Sequence, residues 1–302
     1  HPFVPTQPQR TSMLRNLPHI IEYTLLRLVE LKLCVLPRGV ALLLGSAAGS
    51  LLYYLGVKRH VVRINFEHVG LWNPADARAI QKRLYRNMGR YMADFLRSSK
   101  KTPPYVVHNL ERIEEHLSRG KGFIALLAHF GSWEILAHIY GSRYPLHVVA
   151  RPMKNPFVEK WLWRRRAGTG STPIYRKKAL RQIFMLLRSN NIVAMLIDQY
   201  AGRDGTTAPF LGKPASTLRA PAGMLLKTEC GILPTYALLR DDNVYEIVLQ
   251  QARDLGMSRD NPEAFMDAYQ AEHNRIISEW IRQHPDHYFG WFHKRFKKFA
   301  SY

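Results

Sequence analysis

Cysteine is scarce: Cys34 and Cys230 are the only two in 302 residues. Both sit in apolar, helical-looking stretches, and no CxxC pair or Cys/His ligand spacing occurs. That argues against a disulfide framework or a structural zinc site and fits a reducing cytoplasmic location. Acidic residues are also few, 23 Asp+Glu against 44 Lys+Arg, for a net charge of +21. Such a field attracts polyanions, whether nucleic acid, anionic lipid headgroups or an acidic carrier protein. There is no internal repeat, no low-complexity tract and no helix-turn-helix, zinc-finger or RNP segment, which counts against a nucleic-acid-binding module. No serine stands in a nucleophile-elbow pattern.

What is present is a hydrophobic content of 46% beside 22% charged residues, enough for one large domain or two small ones with a substantial core. Residues 1–12 are polar and proline-bearing and precede Met13; they read as the remnant of an added, non-native leader before a native start at Met13, outside the fold. Residues 18–36 form an amphipathic helix with Glu22, Arg27, Glu30 and Lys32 interspersed, ended by Pro37. Residues 39–56 carry no charge and are flanked by Arg38 and by Lys58, Arg59, His60 and Arg63. The stretch is at the short end of the roughly 20 residues that span a bilayer. Three arrangements suit it: a buried core helix, a helical hairpin lying in or on the membrane, and a true span. Basic flanks favour contact with an anionic leaflet. The division expected is a membrane-associated helical region over 13–63 and a catalytic domain over 64–302.

Helices are predicted at 76–98 and 110–118. From Gly122 the texture turns to apolar runs alternating with helical patterns, as in βαβ units. Strands are predicted at 123–128, 147–150, 192–197, 232–239 and 244–250, the last two joined by an Asp241-Asp242-Asn243 hairpin turn. Further helices are predicted at 133–140, 156–167, 178–189, 216–229 and 262–283. The fold class is therefore α/β, a central mixed, mostly parallel sheet flanked by helices, with the N-terminal helical region attached.

Ligands of open α/β sheets bind beyond the carboxyl ends of the strands. Three runs end there in polar groups: His129; Arg151 with Lys154; and Asp198 with Gln199. The sharpest feature is His129-Phe130-Gly131-Ser132-Trp133-Glu134. Gly131 and Ser132 permit a tight turn, with Ser132 an N-cap rather than a nucleophile. The turn lets Glu134, in the first turn of the following helix, meet His129. A carboxylate on one ring nitrogen fixes the tautomer and raises basicity, leaving the other nitrogen to take a hydroxyl proton. Helix N-terminal N–H groups can steady an oxyanion. The spacing alone arises about once by chance in a chain of this composition; the apolar strand before it and the Gly-Ser turn after it give it weight. Arg151 and Lys154 read either as phosphate ligands or as a solvated surface pair. Arg164-Arg165-Arg166 with Trp161 and Trp163 reads as a phosphate or membrane patch or as an exposed helix face. Arg295, Lys297 and Lys298 with Phe296 and Phe299 read as an interface or as a structural tail, and His293 as structural. No second carboxylate or histidine stands near Asp198 in the chain, so no metal is expected.

Assembled, these residues resemble the bacterial lipid A late acyltransferases, within the wider group of glycerophosphate-type acyltransferases with a His-x4-acid motif. The resemblance also rests on Arg151-Pro152-Met153-Lys154-Asn155-Pro156, on Ala194-Met195-Leu196-Ile197-Asp198-Gln199, on the segment from Pro209 to Thr217, and on Trp291-Phe292-His293-Lys294-Arg295-Phe296-Lys297. It implies acyl transfer from an acyl-carrier-protein thioester to a hydroxyl of a lipid A precursor, at the cytoplasmic face of the inner membrane. No other cofactor and no nucleic acid is implied. His129 would be the general base and Glu134 its partner. Arg166 matches best, by position, a functional arginine, with Arg164 and Arg165 beside it; Asp198 would be the strand-end acid. Two other readings keep the site: transfer to another glycolipid or phospholipid, and thioester hydrolysis with water in place of the hydroxyl.

Overall fold

Three helices begin with the same device. Asn73, Asn155 and Asn261 each precede a proline and accept backbone N–H bonds through Oδ1, as from Ala75 at 3.0 Å, Phe157 at 3.0 Å and Ala264 at 3.2 Å. The cap satisfies an otherwise orphaned donor, and proline at the first helical position gives up a donor that has no intrahelical acceptor. The computed structural model describes residues 13–98, 102–175, 179–202 and 205–302; the leader expected at 1–12 and the first residue of the helix expected at 178–189 lie outside them.

Four helices come first: α1 (Met13–Val35), α2 (Arg38–Tyr54), α3 (Arg59–Val69) and α4 (Pro74–Arg97). There follow β1 (Tyr105–His108), α5 (Arg112–Leu117), β2 (Phe123–Leu127), α6 (Trp133–Gly141), β3 (Leu146–Ala150), α7 (Pro156–Ala167), β4 (Ser171–Tyr175), α8 (Ala179–Arg188) and β5 (Ile192–Leu196). The chain continues through β6 (Gly205–Phe210), β7 (Lys213–Leu218), α9 (Ala220–Thr228), β8 (Gly231–Leu239), β9 (Tyr245–Leu249) and α10 (Pro262–Gln283), then two short 3-10 turns, Pro285–His287 and Phe289–Phe292.

The main sheet has seven strands in the order β1-β9-β8-β2-β5-β3-β4. β8, β2, β5, β3 and β4 run parallel. β9 turns back antiparallel to β8, and β1 pairs with it in parallel. The sheet is thus mixed and mostly parallel. β2 is buried at all five positions, which is why it reads as a continuous apolar run and not as an alternating one.

The helix expected at 216–229 starts later. Residues 216–218 belong to β7, which pairs with β6 in a separate antiparallel hairpin. The hairpin turn is Leu211-Gly212, both with positive φ, the conformation a tight two-residue hairpin demands. Gln270 Nε2 donates to the Thr217 carbonyl at 2.6 Å, which holds this segment extended.

The uncharged stretch forms α2, one face of which packs on α4. Gly45 and Gly49 on α2 meet Gly89 and the Tyr85 carbonyl on α4 so closely that a Cβ at any of the three glycines would strike backbone. The other face, including Leu43, Leu44, Leu51 and Tyr54, is exposed, as are Leu17, Ile21, Leu25, Leu28 and Val35 of α1. Among the described residues no single helix is long and apolar enough to cross a membrane, while α2 and α3, bent by 80°, reach that length and composition as a pair. The interspersed charge of α1 has a packing role: buried Glu30 accepts from Arg27 at 2.9 Å, Arg165 at 2.6 Å and Trp161 Nε1 at 3.0 Å, tying α1 to α7.

Candidate active site

β2 and β5 are neighbours in register, with Leu127 opposite Leu196. Two residues further along each chain stand His129 and Asp198. Continuing the register therefore brings an imidazole beside a carboxylate at the carboxyl rim of the sheet. His129 Nδ1–H donates to Asp198 Oδ1 at 2.9 Å. Asp198 is buried, at 1% exposure, whereas 22% of the His129 side chain remains accessible.

This arrangement corrects the expected pairing of His129 with Glu134. The turn after His129 does place Glu134 in the first turn of α6, but its carboxylate is engaged elsewhere. It accepts from Arg166 Nε at 3.1 Å and Nη2 at 2.5 Å, and from Trp133 Nε1 at 3.1 Å. A two-pronged guanidinium–carboxylate match outcompetes a single imidazole contact. Of the three adjacent arginines, Arg166 is the one that reaches the His129 side; Arg165 is bound to Glu30, and Arg164 is exposed on the far side of α7 beside Arg27 and Cys34.

The turn itself is clamped. Gly131, at φ +59°, lies so close to the Ala237 carbonyl that no side chain fits. Its N–H donates to the His287 carbonyl at 2.8 Å, Ser132 N–H to the Ala237 carbonyl at 2.9 Å, and Phe289 N–H to the His129 carbonyl at 2.6 Å. The N–H groups of Gly131 and Ser132 are thus already committed and do not serve as oxyanion donors. Ser132 occupies the N-cap position but makes no capping bond; its hydroxyl meets Tyr245 instead.

Burial alone would depress the His129 pKa, but the charge and hydrogen bond of Asp198, with the charge of Glu134, carry it above its ordinary value of 6.5. Burial would raise Asp198, but the charge and hydrogen bonds of His129, with the charge of Arg295, bring it below the ordinary carboxylate range. The outer ring nitrogen, His129 Nε2, accepts from the Gln199 amide at 3.1 Å, and the same amide donates to His293 Nε2 at 3.0 Å. Nε2 therefore carries the lone pair and Nδ1 the proton, the tautomer a general base needs.

His129 opens into a cavity of about 1370 Å³ lined mainly by apolar side chains, among them Leu136, Val148, Ile183, Phe184 and Met224. That exceeds the ~300–1,000 Å³ of ordinary small-molecule pockets. Glu134, Arg151, Arg166 and Gln199 are among its polar lining residues, with Arg181, Arg219 and Lys227. Lys154, on the exposed segment after β3, does not line it, and none of its lining residues comes from α1–α4. The N-terminal helices therefore do not wall it. Among the described residues no three His, Cys, Asp or Glu side chains gather as a metal site.

Sequence reasoning placed His129, Arg151, Asp198 and Gln199 on this rim, and the resemblance added Arg166. It missed the contact between His129 and Asp198, whose signal lay in strand register rather than in local spacing. It read His293 as structural and Arg295 as part of an interface or of a structural tail; at 1% exposure Arg295 fits the second of these.

A family model described as bacterial lipid A biosynthesis acyltransferase matches residues 10–298. Over 274 residues the chain is 25% identical to the lipid A biosynthesis palmitoleoyltransferase of Escherichia coli (strain K12), covering 87% of this chain and 86% of that protein. The lipid A biosynthesis acyltransferase of Shigella flexneri matches to the same extent. A phosphatidylinositol mannoside acyltransferase of Mycobacterium tuberculosis (strain CDC 1551 / Oshkosh) is 21% identical over 136 residues, 43% of each chain.

Proposed function

The chain belongs to the bacterial lipid A biosynthesis acyltransferases, and from that premise we propose that it moves a fatty acyl chain from an acyl-carrier-protein thioester to a hydroxyl of a lipid A precursor. The observation that carries this reading is the His129–Asp198 hydrogen bond at the mouth of a large apolar cavity.

In this mechanism the acceptor hydroxyl takes the place of the Gln199 amide on His129 Nε2, which removes its proton while the oxygen attacks the thioester carbonyl carbon. Asp198 stabilises the imidazolium that forms, as a buried carboxylate on the opposite ring nitrogen does in other base-assisted acyl transfers. Negative charge grows on the carbonyl oxygen, and Arg166, on the cavity wall, is the donor to receive it. When the carbon–sulfur bond breaks, the His129 Nε2 proton passes to the departing thiolate. No covalent acyl-enzyme and no cofactor is needed. The apolar cavity holds the acyl chain, and Arg151 and Lys154 meet acceptor phosphates. Glu134 acts through Arg166, holding its guanidinium at the site.

The exposed apolar faces of α1 and α2, next to Lys58, Arg59 and Arg63, suit an anionic leaflet. The proposed location is the cytoplasmic face of the inner membrane, with residues 13–63 as the attaching region. The mycobacterial relative, whose name specifies a different glycolipid, keeps a second acceptor class open for the same chemistry.

Purified protein incubated with mixed acyl-carrier-protein thioesters and a lipid extract is expected to yield acylated lipid A precursor, read by product mass. His129→Ala is expected to lower the rate by about 10²–10⁴-fold with the fold intact. Free fatty acid as the sole product, independent of added lipid, would make the protein a hydrolase instead.

A further inference from the structure

Arg295 lies in the segment Trp291-Phe292-His293-Lys294-Arg295-Phe296-Lys297, none of which the proposed mechanism uses. Its neighbours Lys294, Lys297 and Lys298 are exposed, yet Arg295 itself is as buried as Asp198. Its guanidinium stacks on Phe210 at 4.6 Å. Nη1 donates to the Gln199 carbonyl at 3.0 Å and to the Ser216 carbonyl, and Nη2 donates to Thr217 Oγ1 at 3.0 Å. All three acceptors are neutral. Among the described residues neither Nε nor Asp198 Oδ2, both buried, has a hydrogen-bond partner.

A cation sealed from water without a bonded counter-ion is costly unless an anion lies within electrostatic reach. Asp198 is that anion, and the two share a backbone link, since Arg295 grips the carbonyl of the very next residue. Gln199 is also the residue whose amide addresses His129 Nε2. A single guanidinium thus anchors the peptide that carries the two side chains hydrogen-bonded to the imidazole, the carboxylate on Nδ1 and the amide on Nε2.

We propose that Arg295 is a positioning residue of the acyl-transfer site: it fixes the Asp198-Gln199 strand end against His129, and its buried charge opposes proton uptake by the His129–Asp198 pair. The proposal rests on the reading of His129 as the base. The other groups facing this pair are Glu134 on α6, Tyr288 from the 3-10 segment and His293, with Lys58 beyond His293. Tyr288 and Tyr302 face Arg295 itself. Burial presses the guanidinium below its ordinary value while Tyr288, Asp198 and Tyr302 oppose that, and Arg295 in turn helps hold Asp198 below its own.

The sign follows from simple electrostatics. Removing a fixed positive charge makes it easier for the pair to bind a proton, wherever that proton settles. The base is then lost at a higher pH. Three variants separate charge from anchorage: Arg295→Lys keeps charge and a donor, Arg295→Gln keeps a donor for the Gln199 carbonyl without the charge, and Arg295→Met keeps neither.

The expected results are as follows. In transfer assays across pH, Arg295→Lys leaves the acid limb of kcat in place. Arg295→Gln moves it to higher pH. Arg295→Met moves it likewise and lowers kcat by about 10–100-fold, with KM little changed. Should Arg295→Met fail to fold, Arg295→Gln carries the charge test alone. The imidazole titration of His129, followed by NMR in the wild type and Arg295→Gln, reads the same shift without any acyl substrate, so it stands apart from the assignment of the reaction. An unmoved His129 midpoint and an unmoved acid limb in Arg295→Gln would overturn the electrostatic role; a kcat in Arg295→Met equal to wild type would overturn the positioning role.

Discussion

At the scale of single residues, the site separates two carboxylates that a reading of local spacing runs together. Asp198 serves the imidazole and Glu134 serves Arg166. Because the Asp198 charge and hydrogen bond are what raise the His129 pKa against the pull of burial, Asp198→Asn is expected to lower it. The acid limb of the pH–rate profile, which marks loss of the free base as pH falls, then moves to lower pH while the maximal rate drops. Measured kcat against pH for the two proteins checks this, and an acid limb that stayed put would remove Asp198 as the imidazole's partner. Glu134 and Arg166 form one unit, so the losses from Glu134→Ala and Arg166→Ala should not add. The double variant is expected to be about as slow as the worse single one, and a double-mutant cycle on kcat/KM tests it. Full additivity would mean that Glu134 acts on its own.

At the scale of elements, the strong signals were the ones with a local physical cause. The Asn-Pro helix starts, the continuous apolar run of β2 and the Asp241-Asp242-Asn243 turn between β8 and β9 could all be read from the chain, because each satisfies backbone or burial within a few residues. β1, β4, α3 and the β6–β7 hairpin could not. β1 and β4 are edge strands of five residues or fewer with little apolar pattern. β7 stays extended because Gln270 and Arg295, distant in sequence, hold its carbonyls. The His129–Asp198 contact belongs to the same class, since only the pairing of β2 with β5 reveals it. One long-range feature at this scale yields a stability prediction. Arg38 at the start of α2 meets Asp94 of α4 through Nε at 2.9 Å and Nη2 at 2.6 Å, and Asp94 is buried. Asp94→Ala leaves the guanidinium without its carboxylate and is expected to cost about 3–5 kcal/mol in denaturant unfolding, provided the transition is two-state. A loss below about 1 kcal/mol would show the pair to be solvated.

At the scale of the whole molecule, charge and apolar surface act together. Under the proposed membrane attachment, the excess of 44 Lys+Arg over 23 Asp+Glu would attract an anionic surface at long range, and the exposed leucines of α1 and α2 would supply the short-range hold. Binding to vesicles containing anionic lipid is expected to exceed binding to neutral ones, and to weaken as salt shortens the electrostatic range. Replacing Leu43 and Leu51 together by Glu should lower the bound fraction at every salt concentration in a sedimentation assay, and equal binding would place the contact elsewhere. The sequence made this region conspicuous as an uncharged stretch but did not show that one of its faces is spent on α4.

The brace on the catalytic turn also has a bearing on time. The His129 and Gly131 backbone is held by residues 287 and 289, which a ribosome adds more than a hundred and fifty positions later. Until they emerge, a nascent chain has the base but only the Ala237 carbonyl, on Ser132 N–H, to hold its loop. Competence for transfer thus waits on residues 287 and 289, so that a polypeptide not yet extended that far, even one already resting against lipid, is not expected to spend acyl donors.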